Sequence, residues 1–157
     1  MASQDELDRV LMGSARLWST LATCSRLSVG CVIADPRGRV VSSGFNGSPA
    51  GQAHCDHACD CGHDFEDPLG WDWHLSDCNS KQPCKVAVHS EANAIKYSVE
   101  PVSGYTMYCT HSPCSNCSTL IASVGIVRVV YGVPYRNVHP LEYLEYSGVT
   151  VEQHRGE

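Results

Sequence analysis

Two short runs in this chain carry residue types that can do chemistry together: His89-Ser90-Glu91 and Pro113-Cys114-Ser115-Asn116-Cys117. A Cys-x-x-Cys at the start of a helix places two sulfurs on one side of one turn. There the helix dipole and the unpaired backbone N–H groups favour thiolates. One histidine from a neighbouring helix completes three ligands, His89, Cys114 and Cys117. Three is the number a catalytic zinc takes when a fourth position stays open for water. Zinc lowers the pKa of such a water to about 7. Glu91, two residues beyond His89, can stand beside that water without ligating the metal and move its protons. Taken singly, a Cys-x-x-Cys is also compatible with a structural zinc knuckle or a redox pair, and a His-x-Glu carries almost no information.

The elements that must position these residues follow from the pattern of the chain. Leu7, Val10, Leu11, Leu17, Trp18 and Leu21 recur at three- and four-residue steps, which predicts one apolar helix face. Ser3 with Glu6 three residues on reads as its capping box. Residues 29–34 and 39–45 read as two strands joined by Asp35-Pro36-Arg37-Gly38, a hairpin. Helix-like 89–98, strand 105–110, a helix from Pro113-Cys114 to Val124 stopped by Gly125, strand 126–131, a short helix 140–146 ended by Gly148 and a last strand 149–152 complete the order. The succession α-β-β-(loop)-α-β-α-β-α-β predicts a central sheet with helices on its faces. Residues 52–88 stand apart, rich in Cys, His, Asp and Trp with little periodicity; so long a loop needs a reason, and metal crosslinks supply one.

Composition limits the function classes. The 157 residues amount to one domain, residues 1–157, with 43% apolar and 18% charged residues, enough for a packed core. A net charge of −6 argues against broad binding to long nucleic acid, whose backbone selects clustered Lys and Arg. No apolar run approaches ~20 residues, so no membrane span is expected. The opening MASQDELDR lacks the layout of a secretory signal, which predicts a cytoplasmic protein. In that reducing compartment, ten cysteines among eight histidines point to zinc rather than to disulfides.

In this order and on these elements, the two runs match the His-x-Glu…Pro-Cys-x-x-Cys signature of zinc-dependent nucleobase deaminases. More of the chain resembles the deoxycytidylate (dCMP) deaminase family of the cytidine deaminase-like superfamily, in particular its phage and bacterial late-competence type. The resemblance is carried by 24–33 (CSRLSVGCVI), 43–51 (SGFNGSPAG), 54–56 (HCD), 88–95 (VHSEANAI), 110–117 (THSPCSNC) and 130–136 (VYGVPYR), and it spans about residues 5 to 153. It implies a three-layer α/β/α fold with a five-stranded mixed sheet and a zinc-bound insertion. The implied reaction is hydrolysis of dCMP to dUMP and ammonia, which supplies dUMP for dTMP synthesis. By position it makes His89, Cys114 and Cys117 the catalytic zinc ligands and Glu91 the residue that protonates N3 and then the leaving amine. It also makes Asn46 a substrate contact and places Arg26 and Tyr135 on loops bordering the substrate. A homo-hexamer is implied too, with dCTP and dTTP as effectors and Mg2+ accompanying the nucleotide. Ser90 departs from the Ala or Val more usual between the His and the Glu; being small, it is expected to cost no activity. Phe45 replaces a common Tyr.

The same resemblance implies a second, structural zinc on Cys24, Cys55, Cys84 and a fourth ligand from the insertion, Cys59 first and Cys61 next. Cys61, His63, His74 and Cys78 have the types and number for a third tetrahedral site. Cys31 and Cys109 lie in strand patterns and are expected to be small core residues. His111 resembles a family position next to the site without needing to ligate. Competing readings are a deaminase of another cytosine mononucleotide (5-methyl- or 5-hydroxymethyl-dCMP, or dCTP), of another base such as tRNA adenosine, or a zinc-stabilised binding module without catalysis. Glu91 speaks against the last, because a purely structural site has no use for a carboxylate beside an open coordination position.

Overall fold

Helix α1 (Gln4–Ser19) begins at the expected capping box: the Ser3 backbone N–H donates to Glu6 Oε2 at 2.7 Å and the Glu6 N–H donates to Ser3 Oγ at 3.2 Å. In the computed structural model, which describes residues 2–24, 27–52, 87–135 and 138–156, α1 lies on one face of a five-stranded sheet. Its buried face is Leu11, Met12 and Ala15, flanked by Leu7 and Trp18. Val10 and Leu17, expected in the same stripe, are 65% and 73% exposed, and Leu21 lies beyond the helix. At 100° per residue they sit about 140° and about 160° around the helix from Ala15, so no single face holds both sets.

The sheet order is β2 (Val40–Phe45), β1 (Gly30–Ala34), β3 (Thr106–His111), β4 (Arg128–Val133), β5 (Thr150–Gln153). β1 runs antiparallel to both β2 and β3, while β3, β4 and β5 are mutually parallel. The parallel pairs are joined by crossover helices, α3 (Ser115–Ser123) between β3 and β4 and α4 (His139–Tyr146) between β4 and β5, as parallel strands require. Helix α2 (Ser90–Lys96) packs on β2 and β1. The mixed five-stranded sheet agrees with the sequence expectation; the element bounds differ from it by one to two residues at most ends.

Period-two alternation sorts the core into two layers. Cys31, Ile33, Met107, Cys109 and Val129 face α2, α3 and α4 together with Ala94, Ile121 and Leu144. Val32, Ala34, Tyr108 and Val130 face α1. Cys31 and Cys109 are fully buried cross-strand partners with sulfurs 3.6 Å apart, the core role expected of them. Among the described residues, no helix is long and apolar enough to cross a membrane.

Two groups of contacts, one on each face, fix α2 and α1 on the sheet. A Cβ at Gly44 would lie 2.2 Å from Ser90 O and 2.6 Å from Ala94 N, so α2 sits directly on the β2 backbone. Ser42 Oγ donates to Ala94 O at 2.5 Å and Asn93 Nδ2 to Phe45 O at 2.8 Å along the same seam. On the opposite face Arg128 grips Asp8 with both terminal nitrogens, at 2.9 and 2.6 Å, tying α1 to β4; it also pairs with Glu152 on β5. Tyr108 donates to Asp8 Oδ1 at 2.8 Å. Burial raises the Asp8 pKa, but the hydrogen bonds from Arg128, Gln4 and Tyr108 outweigh it and bring it to about 2.

Replacing Gly44 by Ala forces α2 off β2 and lowers unfolding stability by about 1–3 kcal/mol in chemical denaturation, whereas an unchanged midpoint would contradict the close seam. The depressed Asp8 pKa stabilises the fold above the unfolded value near 3.9, and that stability disappears as pH falls towards 2. Wild type therefore loses stability between pH 5 and 2 that an Asp8→Asn variant does not lose, about 1 kcal/mol once solvent screening of this partly exposed pair is allowed for, measured by urea titrations across that range.

Candidate active site

Both chemical runs stand at helix starts, as the sequence predicts. His89 is the N-cap of α2 and Cys114 the N-cap of α3, each in extended conformation, and Cys117 sits in the first turn of α3. Different local bonds hold the two starts. The residue before His89 is pinned to the loop after β2, because Gly47 N–H donates to Val88 O at 3.1 Å and Val88 N–H to Gly47 O at 2.8 Å. Ahead of Cys114, Ser112 N–H donates to Val133 O at 2.9 Å, and Ser112 Oγ accepts from Tyr135 N–H at 2.7 Å. Pro113 is fully buried between them.

These constraints bring one nitrogen and two sulfurs together. His89 Nδ1 lies 3.4 Å from Cys114 Sγ and 3.4 Å from Cys117 Sγ, and all three atoms fall within 4.8 Å of one another. Tetrahedral bonds of about 2.3 Å to sulfur and about 2.0–2.1 Å to nitrogen give a ligand–ligand edge of about 3.5 Å, so the spacing suits zinc. The electrostatics suit it as well. Cys114 is pushed down to about 4, chiefly by the hydrogen bond it shares with Cys117, with His89 and the Cys117 N–H also favouring the thiolate. That shared bond, together with burial, pushes Cys117 in the opposite direction. One thiolate forms readily and the second needs a cation. A bound divalent metal deprotonates a coordinating thiol outright.

Glu91 lies in the first turn of α2 and is 4% exposed. Burial raises its pKa, opposed by its own backbone N–H, by His89 and by Ser90, whose Oγ donates to Glu91 Oε2 at 2.9 Å. The hydroxyl of Ser90, which its size alone marked as neutral, is thus in contact with the carboxylate. A residue-type departure beside a buried acid was the signal for it.

The remaining candidates divide. Asn46 is 7% exposed, and its amide clamps the loop before β1: Oδ1 accepts from Val29 N–H at 2.8 Å and Nδ2 donates to Leu27 O at 2.7 Å. Among the described residues, these two bonds use one N–H and one lone pair of that amide. Tyr135 is half-buried and joined through its backbone to Ser112, two residues ahead of Cys114. His111 is half-buried with Nδ1 3.1 Å from Thr110 Oγ1; burial keeps it towards the neutral form, and it is not part of the His/Cys group. Phe45 stacks on Trp18, ring centroids 6.3 Å apart. Cys24 is a buried thiol ahead of β1. Arg26 and the expected ligands Cys55, Cys59, Cys61, His63, His74, Cys78 and Cys84 lie outside the described residues.

The sequence matches the family described as the cytidine and deoxycytidylate deaminase zinc-binding region over residues 5–64 and 70–133. It is 39% identical over 130 residues to the deoxycytidylate deaminase of Mycobacterium phage D29, covering 82% of this chain and 96% of that one. It is 37% identical over 153 residues to ComE operon protein 2 of Bacillus subtilis (strain 168), covering 93% and 70%. The fold superposes on the crystal structure of dCMP deaminase from cyanophage S-TIM5 in complex with dCMP and dUMP with a TM-score of 0.75 and 30% identity, over 98% of this chain and 100% of that chain. With its His-x-Glu and Pro-Cys-x-x-Cys runs folded into one ligand set, the chain belongs to the cytidine and deoxycytidylate deaminase zinc-binding family.

Proposed function

We propose that this protein hydrolyses dCMP to dUMP and ammonia. The observation that carries the reading is the meeting of His89 Nδ1 with the Cys114 and Cys117 sulfurs beside a buried Glu91, in a chain similar to deoxycytidylate deaminases along most of its length. His89, Cys114 and Cys117 are the residues that would hold a zinc ion. A zinc held there would supply a nucleophile at neutral pH by lowering the pKa of water to about 7.

Glu91 manages the protons. Its carboxylate is close enough to the ligand set to feel His89 and Cys114, yet it belongs to no metal-ligand group among the described residues. It accepts a proton from the attacking water and gives it to N3 of the cytosine ring. A second proton passes through it to the exocyclic amine, which leaves as ammonia as the C4–N bond breaks and the C4 carbonyl forms. Burial favours the protonated acid, which suits Glu91 to the donating half of this cycle. Asn46, by holding residues 27–29, shapes one wall for the nucleotide. Arg26 and Tyr135 border the same substrate.

The whole chain works as one catalytic domain in the cytoplasm, on this reading, and feeds dUMP to dTMP synthesis. Cys24 with Cys55, Cys84 and Cys59 holds a structural zinc, and Cys61, His63, His74 and Cys78 offer donors for a third. A hexamer with dCTP and dTTP as effectors, carrying Mg2+, extends the reading.

Glu91→Gln lowers kcat for ammonia release from dCMP by about 10²–10⁴-fold while zinc content and thermal midpoint stay at wild-type values; a fully active variant would refute the role of Glu91. Metal analysis of the purified protein finds at least two zinc ions per chain, and Cys24→Ser removes one of them. A single zinc in wild type, or an unchanged count in the variant, rules out the structural site.

A further inference from the structure

Resting on the reading of Glu91 as the proton carrier, we propose that Ser90 is a positioning residue that fixes which carboxylate oxygen of Glu91 exchanges protons with the substrate. Ser90 is fully buried, and its hydroxyl donates to Glu91 Oε2 at 2.9 Å. A buried hydroxyl without a partner is costly, and the partner here is the catalytic acid itself. An alanine would fill the same space with no such contact.

The backbone around Ser90 leaves the hydroxyl little choice of direction. Ser90 is the first residue of α2, and its carbonyl oxygen would lie 2.2 Å from a Cβ on Gly44, so this turn is seated on β2. One turn further along, Asn93 Nδ2 and Ala94 O are bonded to β2 as well. The terminal torsion of a glutamate is broad, and the Ser90 hydroxyl adds a side-chain partner to the one the Glu91 carboxylate has in its own backbone N–H. With Oε2 held by Ser90, Oε1 is the oxygen presented for proton transfer. Because the proton is exchanged at Oε1, Oε2 remains an acceptor and the Ser90 contact persists in both forms of the acid. Ser90 thus holds the shuttle in one orientation through both halves of the cycle.

The test is steady-state ammonia release from dCMP by the zinc-loaded full chain, comparing wild type, Ser90→Ala, Glu91→Asp and the double variant. Ser90→Ala is expected to lower kcat about tenfold with KM within about twofold, because the lost bond acts on the chemical step and not on binding. Zinc content and thermal midpoint stay at wild-type values. Glu91→Asp withdraws the carboxylate from the hydroxyl, so adding Ser90→Ala to it costs nothing further. Wild-type kcat in Ser90→Ala, an equal loss in both backgrounds, or a loss that follows zinc or stability would each overturn the role of Ser90. A fully active Glu91→Gln enzyme would instead remove the premise, and the two failures are therefore distinguishable.

Discussion

The structure turns on the meeting of two helix amino termini that reach one point from different parts of the chain. α2 follows the loop that pairs Val88 with Gly47, and α3 follows the end of β3. Their first residues bring an imidazole nitrogen to 3.4 Å from each of two sulfurs. Without a cation this is an awkward cluster. One thiol ionises easily and the other is driven towards its neutral form by its partner and by burial. A divalent metal resolves the conflict by making both thiolates favourable, and the energy of binding it becomes part of the energy of folding.

The rest of the fold can be read as the support for that meeting. β1 is buried on both faces and carries the two core layers, so the sheet is a stiff plate. On one side α1 is fastened by the Arg128–Asp8 pair and by close packing. On the other, α2 lies on β2 at a distance only a glycine at position 44 allows. Glu91 is held in the seam between α2 and the sheet, shielded from solvent and near the ligands. That shielding pushes the Glu91 pKa upward and so favours the protonated, proton-donating form of the acid.

Much of this was legible in the sequence because it is local. A Cys-x-x-Cys after a proline, a capping box and period-two strands each announce themselves within a few residues, and Gly125 and Gly148 stop their helices with positive φ, as expected. The buried face of α1 was only partly legible: Val10 and Leu17 are as apolar as Leu11, and only the sheet decides which arc is covered. Asn46 shows a different gap. Its motif marked it as a substrate contact, yet its amide bridges Val29 and Leu27, bonds that exist only once the loop has folded. For Ser90 the residue type was visible, but its partner depends on a side-chain direction that spacing does not encode.

The most direct test of the central claim is an anomalous difference map at the zinc edge from crystals of the full chain. The account predicts a peak about 2.0–2.3 Å from His89 Nδ1, Cys114 Sγ and Cys117 Sγ, with its fourth position facing Glu91 and unliganded by protein. No peak there, or a fourth protein atom completing the coordination, would contradict it.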